Sequence, residues 1–408
     1  MKNYRDFWAN RMARRLLLAS LPARFAYSMI GLSIFFHAER TTDSIPTAGL
    51  ALGLNALAGS LTAGIRGSII DKWGHKWPIR ILVPGYALGI ILESNSTSPS
   101  TILFWAFILG LSAPPINISI RPLWKQIFPE AQVRSAYGFD TAVMNSVGVI
   151  GPAIATTLAL SRHPNSALWV CATCMLLGGF ALERVLSKRE WEREAKIPGE
   201  AKLYKVPAIR LLMLEGCFIG LGWGFFDVGV PAYATLEGIP HRTAWLFSIM
   251  SASTVLGGLV AGLLKKRRSS YRTMRSVYGA WALFSLPLYF TYPDWSLALV
   301  GASLGFAGGA LQVFYFEVLE LVRPAGSATS SLGWLWTIEG SMAALGSALG
   351  GWVAKNISPQ VCLGTTTLML CIGYLLMFLG KKRFAPADIP PTERAATEAI
   401  GDTEDLSK

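Results

Sequence analysis

One stretch of the chain decides its fold: Gly67-Ser68-Ile69-Ile70-Asp71-Lys72-Trp73-Gly74-His75-Lys76. Residues 45–66, which precede it, are largely apolar and contain no carboxylate, whereas cations and a turn-forming glycine follow Asp71. A carboxylate at the end of a membrane helix is costly unless it has a partner. The stretch therefore predicts a helix that leaves a hydrocarbon layer near Asp71, with a partner for this carboxylate close by.

The composition of the whole chain also indicates a membrane protein. Hydrophobic residues make up 52% of the 408 residues and charged residues only 15%, whereas about 25% charge is usual in soluble domains. The uncharged runs 102–120, 245–264 and 296–316 are each long enough to cross roughly 30 Å of hydrocarbon as a helix. We predict an all-α polytopic membrane protein with twelve transmembrane helices in two pseudo-symmetric six-helix bundles.

Apolar runs define the twelve predicted spans, of which the third and the ninth are short. They cover residues 16–37, 45–66, 78–93, 101–121, 138–160, 167–187, 207–233, 243–264, 276–291, 296–318, 331–353 and 361–380.

Lysine and arginine predict the orientation of these spans. Of the 37 such residues, 32 fall in the termini and loops of one side, four fall on the other side, and Arg24 lies inside the first span. Cytoplasmic loops carry an excess of Lys and Arg, so both termini are expected in the cytoplasm and the protein in the plasma (inner) membrane. This topology accounts for the net charge of +12 without nucleic-acid binding, and the basic face could also attract anionic lipid.

A polar segment divides the spans into two groups of six. We predict an N-terminal bundle over residues 1–187, a cytoplasmic linker over 188–206 and a C-terminal bundle over 207–384. The linker begins with charges of both signs and is expected to form an amphipathic surface helix. Residues 385–408 are rich in Pro, Ala, Thr and acid, a composition typical of a disordered tail.

A weak internal repeat supports this division. At an offset of 195 residues, three Pro and Gly positions recur in equivalent loops and fifth helices: Pro129 with Pro324, Gly138 with Gly333, and Gly151 with Gly346. Six crossings return the chain to the side where it began, so the two halves are expected to be parallel repeats about an axis along the membrane normal.

The stretch quoted above resembles the signature loop of the major facilitator superfamily. The residues that match the loop are Gly67, Asp71, Lys72, Gly74 and Lys76, while His75 stands where Arg or Lys is usual. The resemblance implies a secondary transporter that works by alternating access, with this loop as a conformational latch. It further implies that Asp71 faces the start of the eleventh helix, near residues 330–333, when the cavity opens outward.

A second motif resembles exporters of the same superfamily. The fifth span contains Gly148, Gly151 and Pro152, which we interpret as a helix-packing hinge, although Ala155 and Thr156 replace the usual closing glycines. Gly and Pro also serve ordinary close packing of membrane helices. The motif therefore favours efflux only modestly.

Polar side chains inside the spans are the candidate coupling groups, because such residues are expensive in lipid and by default mark a pathway. The substrate-binding or proton-coupling candidates are Arg24, Asn145, Glu215, Trp223, Phe226, Asp227 and Glu339. Arg24 could instead reach the interface with its long side chain, and Glu215 could lie near the interface.

Other charged residues receive structural interpretations. Asp140 is interpreted as a charge at the N-terminus of the fifth helix, and Arg121 as a residue at the cytoplasmic end of the fourth. Glu317 and Glu320 are expected to pair with nearby loop cations. Trp223 and Phe226 share a helix face beside Asp227, which suits an amphiphilic or cationic substrate as well as plain packing.

The sequence contains no phosphate loop, nucleophile elbow or nucleotide-binding signature. The five cysteines lie in apolar spans, where small buried thiols are usual, and the four histidines have no metal-ligand spacing. We therefore predict neither an enzyme nor a cofactor or metal.

The leading hypothesis is proton-coupled efflux of a small amphiphilic compound by a monomer, with protons as the coupling ion and membrane lipids as surroundings. Uptake or facilitated transport of a polar or anionic metabolite is an alternative, which fits if Arg24 binds a substrate anion. A lipid flippase is a further alternative. A non-transporting scaffold is disfavoured by the loop motif and the repeat.

Overall fold

The computed structural model describes residues 2–159, 161–163, 165–188, 194–195, 197, 201–239, 241–264 and 269–389. Within this part of the chain the secondary structure consists of helices and turns, without strands. The N-terminal half comprises eight α-helices: α1 Lys2–Ala9, α2 Arg11–Thr42, α3 Ile45–Trp73, α4 Lys76–Ser94, α5 Pro99–Ser112, α6 Ile116–Ile127, α7 Glu130–Ala159 and α8 Ser166–Ser187.

The C-terminal half comprises six α-helices and follows a short 310 turn at Leu203–Lys205. They are α9 Pro207–Leu236, α10 Arg242–Leu263, α11 Ser270–Ser285, α12 Trp295–Val322, α13 Ala328–Asn356 and α14 Pro359–Leu379. Two further 310 helices cover Leu286–Phe290 and Lys381–Ala387.

These helices make twelve crossings, which confirms the predicted fold class. By length and composition, nine segments in the described residues can span a membrane, and α4, α11 and α13 complete the twelve. The observed helices extend beyond most predicted spans, because polar residues continue several helices past their apolar cores. α1, which precedes the first crossing, has no counterpart among the predicted spans.

The fourth predicted span is not one helix. It breaks into α5 and α6 at Pro114-Pro115, since proline removes a backbone donor and clashes with the preceding turn. The freed carbonyls find partners: Tyr27 donates its hydroxyl to the carbonyl of Pro114, and the Arg66 guanidinium donates to that of Ala113. Backbone groups at membrane depth must be satisfied in this way.

Repeated glycines mark equivalent contacts in the two halves. Gly138 of α7 packs on Gly258 and Gly262 of α10, and Gly333 of α13 packs on Ala63 and Gly64 of α3. Each of these pairs joins one half to the other. The other repeated pair of glycines, farther along α7 and α13, makes contacts within one half. Gly151 packs against Ser28 of α2, and Gly346 packs against Leu221 of α9. The weak sequence repeat thus corresponds to repeated packing.

We call the end of the bundle where α2 begins and α14 ends the terminal side, and the opposite end the far side. α8 ends at Ser187 and α9 begins at Pro207, so segment 188–206 joins the halves on the terminal side. Most of the predicted linker helix, and residues 390–408 of the predicted disordered tail, lie outside the described residues. The predicted boundary at 384 is a few residues early, because the last 310 helix continues to Ala387 with Phe384 and Ala387 buried.

Candidate functional site

Three charged side chains meet inside the N-terminal half. Arg24 of α2 donates from Nη2 to Oδ1 of Asp140 on α7 at 2.6 Å, and Arg121 of α6 donates from Nε to Oδ2 of the same carboxylate at 3.1 Å. All three are at most 3% exposed. We call this set, Arg24, Arg121 and Asp140, the arginine cluster.

The arginine cluster has more donors than acceptors and one positive charge in excess. Nε and Nη1 of Arg24 and Nη1 of Arg121 are buried and have no hydrogen-bond partner among the residues that the structure describes. Nη2 of Arg121 contacts the Met144 sulfur at 3.2 Å, which is a weak acceptor. An unsatisfied buried charged group is costly, so the cluster has the donors and the charge to hold an anion.

Aromatic residues of the other half cover Arg121. Its guanidinium carbon lies 3.6 Å from the ring centre of Phe316 on α12 and 5.9 Å from that of Trp336 on α13. Cations are attracted to the faces of such rings. The arginine cluster therefore lies at the boundary between the halves, although its charges all come from the N-terminal one.

Two interpretations from the sequence are corrected by this cluster. Asp140 is not near a helix N-terminus, because α7 begins at Glu130 and Asp140 lies about 15 Å along it. Arg121 does not end its helix: the break at Pro114-Pro115 places it in the middle of α6. Arg24 is buried and paired rather than extended to the interface. Asp140 and Arg121 were missed as site residues, and the Pro-Pro break was the signal that could have indicated Arg121.

The C-terminal half contains buried carboxylates instead. Glu215 of α9 is 4% exposed and accepts hydrogen bonds from the hydroxyls of Tyr278 at 2.7 Å and Tyr315 at 3.4 Å. Glu339 of α13 is half-buried and interacts electrostatically with Glu215. Among the described residues we find no hydrogen-bond or ion-pair partner for the Glu339 carboxylate. Glu215 therefore lies inside the bundle rather than near the interface.

Asp227 lies further along α9, about 18 Å beyond Glu215 at 1.5 Å per residue. Its side chain is exposed. Leu236, which is 65% exposed, follows nine residues later and therefore lies on the opposite face of the helix. Trp223, one turn before Asp227, packs on Trp281 and on Phe226, with ring centres 5.9 and 5.5 Å apart. The aromatic pair thus stands beside Asp227 on α9.

Asn145 and the predicted hinge give a mixed result. Asn145 donates to the Thr141 carbonyl of its own helix at 2.9 Å. Gly151, in the turn that precedes Pro152, allows the close approach of α7 to Ser28. A Cβ at Gly148 would meet open space, and Gly148 lies on an exposed part of α7. Its role in the predicted hinge stays a prediction.

The quoted loop makes the contact that the resemblance implied. Asp71 is half-buried and accepts hydrogen bonds from the backbone N–H groups of Thr329 at 3.0 Å and Ser330 at 2.7 Å, at the start of α13. Unpaired N–H groups at a helix N-terminus favour an anion. Gly67 faces the same turn, and a Cβ there would lie 2.9 Å from the Ser330 Cα.

The remaining residues of the loop motif shape its path. Gly74 ends α3 with φ 76°, a conformation that favours glycine, and its N–H donates to the Ile70 carbonyl at 2.7 Å. Lys72 lies 5.7 Å from the ring centre of the neighbouring Trp73, and Lys76 begins α4. The latch role of these residues stays a prediction.

A second connection between the halves lies beside the first. Arg134 of α7 makes a bidentate ion pair with Glu317 of α12, at 2.6 and 2.7 Å, and both side chains are at most 4% exposed. Lys125 and Arg323 both pair with Glu320, at 3.1 and 2.6 Å. The prediction that Glu317 and Glu320 pair with nearby cations is confirmed.

All the hydrogen bonds and ion pairs that we find between the halves, in the described ranges, lie in the terminal-side part of the bundle. The hydrogen bond farthest from the terminal side runs from the Gly64 N–H to Thr337 Oγ1, at 3.0 Å. Gly340 packs on Ser60 one turn closer to the far side. Farther along, Asn55 of α3 binds α5 of its own half instead. In the part of the chain that the structure describes, the halves are therefore joined on the terminal side and have no polar connection on the far side.

A groove of about 1180 Å³ opens between the halves on the terminal side. It borders the quoted loop and reaches Pro122, the residue after Arg121. A void of about 10 Å³, lined by Arg121 and Phe316, lies between the groove and the arginine cluster and shares Glu320 and Arg323 with the groove.

Comparisons with known proteins agree with this architecture. A sequence model of the Major Facilitator Superfamily matches residues 16–347. An uncharacterized MFS-type transporter of Sinorhizobium fredii, y4rN, is 23% identical over 88% of this chain and 93% of its own length. The multi-drug resistance efflux pump PmrA of Streptococcus pneumoniae is 21% identical over 39% of this chain and 41% of its own.

A solved structure extends the comparison to the fold. The crystal structure of a bacterial homologue of the iron transporter ferroportin, in its outward-facing state, superimposes with a TM-score of 0.75 at 11% identity, covering 91% of this chain and all of the other. At this identity the similarity concerns the fold alone.

Proposed function

The chain belongs to the Major Facilitator Superfamily, and from that premise we propose that it exports a small amphiphilic compound in exchange for protons, by alternating access. The terminal side is then cytoplasmic, as the distribution of Lys and Arg suggests. The protein is a monomer in the plasma (inner) membrane in this proposal, with lipid around its apolar helix faces.

The contacts between the halves support alternating access. Asp71, Arg134 and Gly138 join the halves on the terminal side, and the far side has no polar connection among the described residues. With the terminal side in the cytoplasm, the cytoplasmic side is the one that these contacts hold together in this conformation. The opposite conformation requires these few contacts to break and the far-side halves to approach.

The observation that carries proton coupling is the pair of carboxylates in the C-terminal half. Glu215 is held by two tyrosine hydroxyls, while Glu339 interacts with it electrostatically and has no hydrogen-bond partner that we find in the described residues. A carboxylate inside a membrane span that has no partner by default marks a proton relay or a substrate pathway. Glu339 is therefore the proton-binding residue in this proposal, and Asp227 is a second, outer carboxylate.

Export and an amphiphilic cargo rest on further support. Trp223 and Phe226 on α9, and Trp336 on α13, give the interior an aromatic wall. The partial similarity to an efflux pump, over 39% of the chain, favours the export direction.

The test is a transport assay in liposomes. The purified protein is reconstituted, a pH gradient is imposed, and a dye inside the vesicles reports proton movement when amphiphilic cations, anions and neutral compounds are added in turn. We expect at least one compound to release protons with wild-type protein, and Glu339→Gln to abolish this release while compound exchange without a gradient persists.

The matched control is Glu237→Gln, the same chemical change at the far-side end of α9, where Glu237 is exposed and accepts a hydrogen bond from Tyr292. It should leave proton release unchanged. Proton release by Glu339→Gln at the wild-type rate would contradict proton binding at Glu339. If no compound moved protons or depended on the gradient, coupling itself would be refuted.

A further inference from the structure

The arginine cluster is not used by the proton-coupling proposal, and its composition is unusual for a purely structural ion pair. One carboxylate faces two guanidinium groups, all almost fully buried, and three guanidinium nitrogens have no partner among the described residues. A buried ion pair that only stabilises a fold is expected to satisfy its remaining donors. The excess charge and the unpartnered donors instead suit an anionic ligand.

The geometry of the donors suits a carboxylate. A guanidinium is planar and presents pairs of parallel N–H groups that match carboxylate oxygens. Asp140 accepts one hydrogen bond from each arginine, from Arg24 Nη2 and from Arg121 Nε. The Nη1 groups of both arginines remain unused, so a second carboxylate could be bound by two arginines that Asp140 holds in place.

Access to these donors depends on the conformation. Phe316 and Trp336, which cover Arg121, belong to the C-terminal half, whereas Arg24, Arg121 and Asp140 belong to the other. The small void beside Arg121 shares Pro122, Glu320, Arg323 and Ala328 with the terminal-side groove. When the halves separate on the terminal side, the rings move away with their half and the cluster becomes reachable from that side.

The described residues that line the groove give it no excess of either charge. Lys76, Lys125 and Arg323 are balanced by Asp71, Glu194 and Glu320. The preference for an anion must therefore come from the two arginines of the cluster.

We infer that Arg24 and Arg121 form a binding subsite for the carboxylate of an amphiphilic anion that enters from the terminal side. The apolar part of the same molecule would lie toward Phe316 and Trp336. This inference rests on the proposed export function and narrows its substrates to anions. Asp140 acts as a positioning residue, because its carboxylate orients both guanidinium groups.

The test measures binding by thermal stabilisation, since a ligand that binds only the folded state raises the unfolding temperature in a concentration-dependent way. The full-length protein in detergent, in chloride-free zwitterionic buffer, is titrated with 1-naphthoate, with neutral 1-naphthamide and with 1-naphthylmethylammonium. We expect only 1-naphthoate to stabilise the wild type, and Arg121→Gln to weaken this response at least tenfold in concentration. Arg24→Gln should do the same.

Two variants keep the result interpretable. Arg121→Lys retains the charge and therefore the packing, but loses the planar pair of donors, and should show an intermediate response. Arg80→Gln removes a partly exposed arginine that pairs with Glu183 outside the cluster, and should respond to 1-naphthoate as the wild type does. An unchanged response in both Arg121→Gln and Arg24→Gln, or equal stabilisation by the amide or the ammonium, would overturn the inference.

A chloride ion is the alternative occupant of the arginine cluster, and chloride is therefore titrated by itself. If it stabilised the wild type as much as 1-naphthoate and abolished the further effect of 1-naphthoate, the cluster would hold a resident counter-ion and not a substrate, and the inference would fail. Failure here is distinguishable from failure of the proposed function. Proton-driven transport of the ammonium compound without naphthoate binding would refute only the anion subsite, whereas naphthoate binding without any proton-coupled transport would refute only the coupling.

Discussion

Replacing Asp71 by Asn tests whether the quoted loop holds the terminal side closed. The carboxylate of Asp71 accepts the N–H of Thr329 with one oxygen and that of Ser330 with the other. Asn has a similar shape but only one oxygen, and its amide group would direct hydrogen atoms at the second N–H. The variant therefore loses one hydrogen bond, gains a donor–donor contact and loses the negative charge at the start of α13.

The free-energy cost of Asp71→Asn follows from the lost hydrogen bond and the lost charge. A hydrogen bond to a charged group contributes about 1.5–3 kcal/mol, and a neutral one about 1 kcal/mol. The interaction of a charge with a helix N-terminus adds about 0.3–1 kcal/mol near a surface. We expect a net loss of about 2 kcal/mol in the terminal-side-closed conformation, which changes the ratio of the two conformations by roughly 30-fold.

A cysteine in the other interface between the halves can report this shift. Thr141 of α7 is 1% exposed and packs against Gly258 of α10, so Thr141→Cys is protected while the terminal side is closed. A membrane-impermeant maleimide applied from the terminal side should label it faster in the Asp71→Asn background. The parent protein without the reporter corrects for the native cysteines, which lie in α8, α9 and α14.

The control for the chemical change is Asp43→Asn. Asp43 is exposed after the far-side end of α2, with φ 48°, a conformation that Asn also tolerates. This variant should label at the rate of the parent. If Asp71→Asn also labelled at the parent rate and turned over normally, Asp71 would be a solvated loop charge, and the closure would depend on other contacts.

Two further predictions concern the same interface. Gly138→Ala and Gly333→Ala should each increase labelling of the reporter and lower the unfolding temperature, because a Cβ would press on backbone atoms of the other half. Gly148→Ala should change neither, because a Cβ there meets open space. Equal effects at all three positions would show that helix propensity and not packing is responsible. Glu317→Gln leaves the buried guanidinium of Arg134 without its ionic partner, so it should shift the conformational ratio more than Asp71→Asn does, since breaking a buried pair costs about 3–5 kcal/mol. The double variant Arg134→Gln, Glu317→Gln should recover part of this loss in a double-mutant cycle, and strict additivity of the two single changes would contradict direct pairing.

The positions of candidate charges could be predicted from the sequence, but not their partners. Arg24, Glu215 and Glu339 stand out because each interrupts an apolar run, and the cost of a charge in lipid depends on its own segment. Asp140 was misinterpreted because its significance depends on Arg24, 116 residues earlier in the chain. Arg121 was misplaced because the apolar run 102–120 conceals the helix break at Pro114-Pro115.

The sequence by itself determined the twelve crossings, the division into two halves and the side that carries the positive charge. These properties are sums over neighbouring residues, because the transfer of a helix into hydrocarbon depends on the apolar and charged residues of that helix. The sequence repeat also paired Gly138 with Gly333, and both glycines make close contacts between the halves.

Only the tertiary structure decided which groups meet. Asp71 reaches the start of α13, Arg134 binds Glu317, and two arginines share Asp140 because helices distant in the sequence cross at those points. A buried charge is tolerated only where another helix supplies its counter-charge or hydrogen bonds. The same charged residue is therefore structural or functional according to what the neighbouring helices leave unsatisfied, and that is a property of the packed bundle rather than of any one segment.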